Sequence, residues 1–349
     1  MYTTEEFAEQ VITDVSATLS GVMTSIGNKL GLYKAMAFAG PLTSTELSQK
    51  LGLAERYVRE WLNNQVAGKY LTYDKNNQSY ELPDAHVPVL VDQESPVFLL
   101  PALEVAASLW HDEEMLIKVF QTGKGITWGA HNHKLFCGSE ALFRPGYKSF
   151  LVNDWIAAMD GVSKQLEQGA LVADIGCGHG ASTIVMANAF PKSKFYGFDN
   201  HAESIKTALV RIASEPAKSN TVFEIIDAKS YPTIGFDLIC FMDCLHDMGD
   251  PVGAAKHALK ALKPGASLLL VEPAAGNNVE DNINPISRLY YAASTAVCTP
   301  CSLSQDVGIA LGAQAGQWQL SKVLEEAGFV DITKIAETPF NIVIQAKRP

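Results

Sequence analysis

The stretch VADIGCGHGAS, residues 172–182, joins an apolar strand to a helix through a glycine-rich turn. Its pattern is D-x-G-x-G-x-G, in which Asp174 ends the strand and Gly176, Gly178 and Gly180 form the turn. Because glycine has no Cβ, such a turn can adopt unusual backbone dihedrals and lets a ligand approach the main chain closely. The stretch therefore predicts a ligand site where the first strand of a sheet meets its first helix.

Beyond this turn, strand patterns alternate with helix patterns. Apolar strands are predicted at LVADIG, KFYGFD, TVFEIID, FDLICFMD and SLLLVEP, with amphipathic helices between them. This alternation predicts a parallel sheet covered on both faces. Two last strands, VDITKIAE and FNIVIQAK, are joined by so short a turn that they must be antiparallel. The predicted fold class is α/β, with a doubly wound, Rossmann-like, seven-stranded and mostly parallel sheet.

The amino-terminal part has a different pattern. Helical spacing runs from about Ala8 to Phe38, and we expect its glycines to separate helices. A capping-box pair, Thr43 and Glu46, opens a short helix, a longer helix follows, and YLTYD and SYELP flank a KNNQ turn. Helix, helix and hairpin predict a mainly helical winged-helix domain at residues 1–92. A helical connector and lid is expected at 93–168, and the sheet domain at 169–349.

The charge balance argues against nucleic acid as a partner. Lys and Arg total 27 against 38 Asp and Glu, a net charge of -11 that repels a phosphate backbone. The longer helix of the winged-helix domain carries Arg56, Arg59 and Lys69 against Glu55 and Glu60, which leaves a poor footprint for DNA. We therefore expect this domain to pair subunits or to support a catalytic domain.

The composition also indicates the cellular compartment of the protein. No apolar run approaches the roughly 18 residues that span a bilayer, and the first residues are acidic where a secretory signal is basic and then apolar. Six cysteines suit a reducing compartment. Cys298 and Cys301 form one C-x-x-C pair without a second pair to complete a zinc site, so we expect them to line a pocket or core. We predict a soluble, cytoplasmic protein without a metal.

Two ligand classes fit the glycine turn. As G-x-G-x-x-A, residues 176–181 match a dinucleotide fingerprint, and Asp199 lies at a suitable distance to hold a ribose diol. A carboxylate at Asp174, however, repels a pyrophosphate and attracts the ammonium and sulfonium groups of S-adenosylmethionine. Asp227, after the third strand, suits an adenine amino group. These acids favour S-adenosylmethionine over a dinucleotide.

From Leu171 to about Lys347 the chain resembles the class I S-adenosylmethionine-dependent methyltransferases, on the glycine turn, the acids after the second and third strands, and the closing hairpin. With its winged-helix domain, the whole chain resembles a subgroup of this family that includes many small-molecule O-methyltransferases. Members of this subgroup commonly pair subunits through the winged-helix domain, so the resemblance implies a homodimer. The resemblance implies S-adenosylmethionine as cofactor and S-adenosylhomocysteine as product. The predicted cofactor-binding residues are Asp174, Gly176, Cys177, Gly178, Gly180, Asp199, Asn200, Asp227, Ala228 and Asp243.

The segment CLHDM places His246 after the fourth strand. In O-methyltransferases of this architecture a histidine in a leucine-histidine-aspartate run is the general base, although the tryptophan usual after the aspartate is Met248 here. An imidazole suits a phenol or alcohol, which must lose a proton, whereas a carboxylate, thiolate or amine acceptor does not always need a base. Two interpretations of His246 stay open, a general base and a pocket-lining or hydrogen-bonding residue.

Aromatic and polar residues of the connector, of the fifth strand's end and of the long segment after it are candidates for binding the methyl acceptor: Trp128, His131, Tyr147, Glu272, Arg288 and Tyr291. The long segment after the fifth strand is expected to cap the acceptor pocket; its aromatics fit a helix core equally well. The predicted function is methyl transfer to a small molecule, most readily at oxygen. The alternatives are a cofactor-sensing winged-helix transcriptional regulator and an NAD-dependent oxidoreductase.

Overall fold

The computed structural model describes residues 2–349 and divides the chain into two compact units. The first comprises the residues up to Ala107 together with Cys137–Gly146, and the second comprises Ser108–Phe136 and Tyr147–Pro349. Among the described residues, no helix is both long and apolar enough to cross a membrane.

The first unit contains a helix-rich winged fold. Its helices are α1 (Thr4–Lys29), α2 (Leu32–Met36), α3 (Ser44–Leu51), α4 (Glu55–Ala67) and α5 (Val87–Leu90), and its strands are β1 (Leu42–Thr43), β2 (Thr72–Asp74) and β3 (Ser79–Glu81). The strands form an antiparallel sheet in the order β1-β3-β2. The predicted capping box at Thr43 and Glu46 is present, and so is the predicted hairpin.

Helix α1 corrects one expectation from the sequence. It continues through Gly21 and Gly27, and the chain breaks only at Gly31, which has φ +72°. Gly27 serves packing: a Cβ there would lie 2.4 Å from Cζ2 of Trp61. The indole Nε1 donates a hydrogen bond to the carbonyl of Met23. The glycine thus admits the tryptophan against the helix rather than ending it.

Three helices lie around the boundary between the units in sequence: α6 (Pro101–His111), α7 (Glu113–Thr122) and α8 (His133–Gly146). The remaining helices are α9 (Val162–Gln168), α10 (Ala181–Ala189), α11 (Ala202–Ile212), α12 (Pro251–Ala261), α13 (Pro285–Ala293), α14 (Thr299–Leu303) and α15 (Gly316–Ala327). π-helical turns occupy Tyr147–Ile156 and Ser294–Cys298.

The sheet of the second unit is the one that the sequence predicts. Its strands are β4 (Leu171–Ile175), β5 (Lys194–Asp199), β6 (Thr221–Ile225), β7 (Phe236–Met242), β8 (Leu262–Pro273), β9 (Val330–Glu337) and β10 (Asn341–Lys347). Their order is β6-β5-β4-β7-β8-β10-β9, and β10 runs antiparallel to both of its neighbours. The predicted doubly wound, mostly parallel sheet with an antiparallel last strand is confirmed.

The strand order fixes where a ligand can bind. The chain builds β4, β5 and β6 towards one edge and then crosses back to place β7 on the other side of β4. Ligands of open α/β sheets bind at such a switch point, outside the carboxyl ends of the strands. β7 is buried along its whole length, so its carboxyl end is held by a rigid core.

Candidate active site

The glycine turn after β4 has the backbone that its composition predicts. Gly176, Gly178 and Gly180 have φ of +68°, +52° and +76°, values that residues with a Cβ rarely adopt. Two of them are also in close contact with other residues. A Cβ on Gly176 would lie 2.8 Å from Sγ of Cys244, and one on Gly180 would lie 2.6 Å from the ring of Phe223. The turn is therefore fixed by both conformation and packing.

Asp174 is a buried acid beneath this turn. Its Oδ2 accepts hydrogen bonds from Oγ of Ser182 and Oγ1 of Thr183, both at 2.6 Å. Its Oδ1 is buried without a hydrogen-bond partner in the described part of the chain. Burial raises the pKa of Asp174 to about 6, against the opposing effect of the two hydroxyl donors. A cationic ligand at Oδ1 would satisfy the orphaned oxygen and stabilise the ionised carboxylate.

Asp199 ends β5 and holds the turn from the other side. Its Oδ2 accepts the N–H of Gly178 and its Oδ1 accepts the N–H of His201, each at 2.8 Å. Burial raises the pKa of Asp199 despite these bonds. Each carboxylate oxygen keeps acceptor capacity for a further donor such as a hydroxyl. Cys177 is buried within the turn, and Asn200 is exposed immediately after β5.

The predicted adenine-side residues follow β6. Asp227 is exposed, and its Oδ1 accepts the N–H of Lys229 at 2.8 Å, which shapes a turn. Ala228 is half-buried. β6 lies beside β5, so the structure places these residues next along the same edge of the sheet as Asp199.

Asp243 follows β7 with φ +53°, a left-handed conformation that is uncommon for a residue with a Cβ. Its carboxylate accepts hydrogen bonds from Oη of Tyr147 at 2.9 Å and from Nδ2 of Asn341 at 2.7 Å. Burial, with the nearby carboxylate of Glu272, raises the pKa of Asp243 to about 7. The strained backbone is held by partners from two distant segments, as is common at functional sites.

His246 is buried in a short helical turn, and Nδ1 of its imidazole hydrogen-bonds to Oε2 of Glu272. Oε1 of Glu272 accepts the N–H of Leu245 at 2.9 Å, which fixes the carboxylate. Since an ionised carboxylate only accepts, Nδ1 carries a hydrogen, and Nε2, which lies 3.2 Å from Oδ1 of Asp247, is the nitrogen that can gain or lose a proton. Burial opposes the charged imidazolium, but the carboxylates of Asp247 and Glu272 outweigh it and raise the pKa of His246 well above its ordinary value.

Two of the predicted acceptor residues lie in a loop of the second unit. The ring of Trp128 packs on Phe136, which packs in turn on His201 with ring centroids 4.9 Å apart. The N–H of Ile126 donates to the carbonyl of Pro300 at 2.9 Å. The loop thus contacts both α14 and the residue whose N–H binds Asp199. His131 is buried, and its Nδ1 lies 3.0 Å from Oδ2 of Asp112.

The other predicted acceptor residues are dispersed. Tyr147 binds Asp243 and Glu272 binds His246, whereas Arg288 and Tyr291 are exposed on α13. The buried aromatic of that helix is Tyr290, whose Oη donates to the carbonyl of Phe340 at 2.8 Å. Its burial fits the helix-core alternative for the aromatics of this segment. The sequence prediction omitted Asn341, which stands in no recognisable motif.

The site as a whole suits a ligand that carries positive charge. Three acids with raised pKa, Asp174, Asp199 and Asp243, gather at the carboxyl ends of neighbouring strands. One of them has an orphaned buried oxygen, and the open space beside Gly178 leaves room for close approach to the main chain. S-adenosylmethionine carries an ammonium and a sulfonium group and therefore fits these three carboxylates. The negative charge of a pyrophosphate would be repelled by them.

Family models match both parts of the chain. A family model described as an Rv2258c-like winged HTH domain matches residues 17–91, and one described as a methyltransferase domain matches residues 166–328. The chain is 30% identical over 151 residues to a 2-methyl-6-phytyl-1,4-hydroquinone methyltransferase from Synechocystis sp., covering 42% of this chain and 45% of that protein. It is 32% identical over 107 residues to the 27-O-demethylrifamycin SV methyltransferase of Amycolatopsis mediterranei, covering 30% and 39%. The matches thus span less than half the length of these curated relatives.

Solved structures are similar over the whole chain. Human N-acetylserotonin methyltransferase in complex with SAM aligns with a TM-score of 0.69 at 19% identity, covering 100% of this chain and 99% of that one. PigF with SAH aligns with a TM-score of 0.72 at 16% identity, covering 99% of each chain. An O-methyltransferase family protein from Burkholderia thailandensis aligns with a TM-score of 0.70 at 15% identity, covering 100% and 98%. At such identities the likeness establishes the fold.

Proposed function

Because residues 166–328 are an S-adenosylmethionine-dependent methyltransferase domain and residues 17–91 a winged HTH domain of the Rv2258c-like type, we propose that the whole chain methylates a hydroxyl oxygen of a small molecule. The observation that carries the proposal is the buried pair of His246 and Glu272 at the carboxyl ends of β7 and β8. A methyltransferase needs a base only when its acceptor must lose a proton, as a phenol or an alcohol does.

The cofactor would be held by residues of this chain at three strand ends. Asp174 and the glycine turn would bind the methionine end, Asp199 with Asn200 the ribose, and Asp227 with Ala228 the adenine. When bound, S-adenosylmethionine supplies an electrophilic methyl group on a sulfonium. Cys177 and Asp243 would border the bound cofactor.

His246 would take the proton of the acceptor at Nε2. Glu272 holds the Nδ1–H tautomer by its hydrogen bond and offsets the positive charge that the imidazole gains. Fixing the imidazole in a buried turn also aligns the base with the acceptor, and such alignment is the main contribution that an enzyme makes to a displacement at carbon. Asp243, bound to Tyr147 and Asn341, keeps the turn in its strained conformation.

The acceptor pocket would be formed in the second unit by Trp128, His131 and Tyr147, with Arg288 and Tyr291 at an exposed position on α13. The loop that carries Trp128 contacts both α14 and His201, so it suits a small, partly apolar acceptor. The names of relatives support an oxygen acceptor, since one is a 27-O-demethylrifamycin SV methyltransferase and a similar structure is that of the mitomycin 7-O-methyltransferase MmcR.

The winged-helix domain would pair two subunits rather than bind DNA. On α4, Arg56 is paired with Glu60 and Arg59 with Glu55, so little positive charge is left for phosphates. Helix α1 bears a stripe of exposed apolar side chains on one side: Phe7, Val11, Val15, Leu19, Val22 and Ile26. Their spacing of three and four residues suits packing against a helix of a second copy. All six cysteines are free in the described chain, which supports a reducing compartment such as the cytoplasm.

The two other candidate functions are less well supported. A nicotinamide-dependent oxidoreductase would place a pyrophosphate against Asp174, and a DNA-binding regulator would need the arginines of α4 free. The titration described next can detect the NAD binding that the first of these functions requires.

Calorimetric titration with S-adenosylmethionine, S-adenosylhomocysteine and NAD tests the proposal, with Asp199→Ala as the variant. We expect binding of the first two ligands, loss of that binding in the variant and no binding of NAD. A screen of phenols, alcohols, carboxylic acids and amines with radiolabelled methyl donor then identifies the acceptor class. Binding of NAD alone, or methylation of amines and acids but of no hydroxyl, would refute the proposal.

A further inference from the structure

A cluster of metal-binding side chains lies beside the histidine–glutamate pair. One possible ligand atom each from His246, Asp247 and Cys298 lies within 4.8 Å of the other two, and Nε2 of His246 is 3.2 Å from Oδ1 of Asp247. The first two come from the turn after β7, and the thiol comes from the π-helical turn that follows α13. The sequence offered no sign of this cluster, because 51 residues or more separate the cysteine from the other two (298 minus 247).

One atom of the cluster accepts no hydrogen bond. Oδ1 of Asp247 is buried and accepts none within residues 2–349; Nε2 of His246, 3.2 Å away, forms an ion pair with it only when the imidazole is charged. A buried carboxylate oxygen that accepts no hydrogen bond costs free energy, so beside a neutral imidazole this oxygen suits a cation that the protein chain does not supply.

The two segments that carry the cluster are tied together by hydrogen bonds. Nε2 of Gln305 donates to the carbonyl of Asp247 at 3.0 Å, and Oε1 of the same side chain accepts the N–H of Gly249 at 3.0 Å. Oγ of Ser302 donates to the carbonyl of Met248 at 2.9 Å. These hydrogen bonds fix the turn that carries His246 and Asp247 against the segment that follows Cys298, as a preorganised site requires.

We propose that His246, Asp247 and Cys298 bind a divalent metal ion of the zinc class. An imidazole nitrogen, a carboxylate oxygen and a thiolate sulfur are the three ligand types of Zn²⁺, and three protein ligands leave a fourth position open. Glu272 completes the arrangement, because its hydrogen bond to Nδ1 orients Nε2 towards the metal as outer carboxylates do in zinc sites.

Metal binding and proton transfer would exclude each other at this site. A metal at Nε2 occupies the lone pair with which His246 would take the proton of the acceptor, so Zn²⁺ would inhibit methyl transfer. This consequence, unlike the site itself, rests on the proposed function.

Titration of the purified full chain with Co²⁺ tests the site without any need for turnover. Thiolate coordination gives a thiolate-to-cobalt charge-transfer absorption, and a four-coordinate ion gives intense visible bands. We expect both for one Co²⁺ per chain, with loss of the bands on addition of Zn²⁺. Cys298→Ser should abolish the charge-transfer absorption, and Glu272→Gln should weaken affinity by about 10- to 100-fold.

Cys137→Ser is the matched control, because this thiol is exposed and lies outside the cluster; it should keep the bands. Far-UV circular dichroism establishes that each variant is folded, and Cys298→Ala, which also removes the thiol, replaces Cys298→Ser if the latter does not fold. Absence of charge-transfer absorption in the unmodified protein, or its persistence in folded Cys298→Ser, would overturn the proposal. Bands in a protein that methylates nothing would uphold the site and remove only the proposed function.

Discussion

The imidazole of His246 and the carboxylate of Glu272 are joined by a hydrogen bond across β7 and β8, two neighbouring parallel strands. Met242 pairs with Val271 in this register, so Glu272, the next residue of β8, lies at the same edge of the sheet as the turn that follows β7. The pair is consequently part of the fold: shifting either strand would separate the base from the carboxylate that orients it. Substitutions that remove the charge of one partner and keep its shape can therefore test the role of the pair.

Glu272→Gln should lower kcat and move the pH dependence of the reaction. The base acts in its neutral form, so activity rises with pH through the pKa of His246, which lies above the ordinary value of about 6.5. Removing the carboxylate of Glu272 removes one cause of that elevation, so the rising limb of kcat/KM should move to lower pH. Initial rates across pH measure this shift; a limb that stays in place while kcat falls would indicate only a structural role for Glu272.

His246→Ala should reduce kcat by about 100- to 10,000-fold, the usual contribution of a general base. Binding of S-adenosylmethionine should be unchanged, because the predicted cofactor contacts lie at other residues. His86→Ala is a suitable control, since this half-buried histidine lies in the first unit and hydrogen-bonds to the carbonyl of Tyr70. Steady-state kinetics with the identified acceptor measure the effect. Retained turnover in His246→Ala would leave the histidine as a pocket-lining residue.

Asp174 should make cofactor binding pH-dependent. With its pKa raised to about 6, the carboxylate is neutral below that pH and charged above it. The affinity for the cationic cofactor should therefore be constant well above pH 6 and fall by up to about tenfold per pH unit below it. Calorimetry from about pH 5 to about pH 8 measures this. Asp174→Asn, which keeps the shape of the side chain and removes its charge, should bind more weakly and show a flat profile; a profile identical to that of the unmodified protein would assign the titration to another group.

The sequence predicted those parts of the molecule that local patterns specify. The glycine turn, the seven strands and the capping box at Thr43 follow from spacing within short windows, and the structure confirms them. The partners of Asp243 were not predictable, because Tyr147 and Asn341 lie 96 and 98 residues from it in sequence. Their approach depends on which strands become neighbours.

The same limit applies to Glu272 and to Gly27. The sequence suggested that Glu272 orients the acceptor, whereas its contacts are with the imidazole of His246 and the N–H of Leu245. Gly27 was expected to end a helix because glycine has low helix propensity, but contact with Trp61 outweighs that local preference. Tertiary packing decides both cases.

Gly27→Ala and Gly21→Ala should change stability in opposite directions. Both glycines lie inside α1, where alanine is favoured over glycine by about 1 kcal/mol. A Cβ at Gly21 would meet Leu103 at an ordinary 3.4 Å, whereas one at Gly27 would clash with Trp61. Chemical denaturation should show Gly21→Ala stabilised by up to about 1 kcal/mol and Gly27→Ala destabilised by about 1–3 kcal/mol. Equal effects at the two positions would contradict the packing role of Gly27.

The apolar stripe of α1 should control subunit association. Val15 and Leu19 are 54% and 67% exposed at its centre, and Asp at both positions would place unpaired charge in a helix–helix interface. Each unpaired charge costs about 2 kcal/mol or more, so association should weaken by at least about 100-fold. Thr13→Asp with Ala17→Asp is the matched control, because it adds the same charge on the opposite side of the helix. Light scattering over a dilution series should show a dimer for the unmodified chain and the control, and a monomer for Val15→Asp with Leu19→Asp. A dimer in all three would place the interface elsewhere.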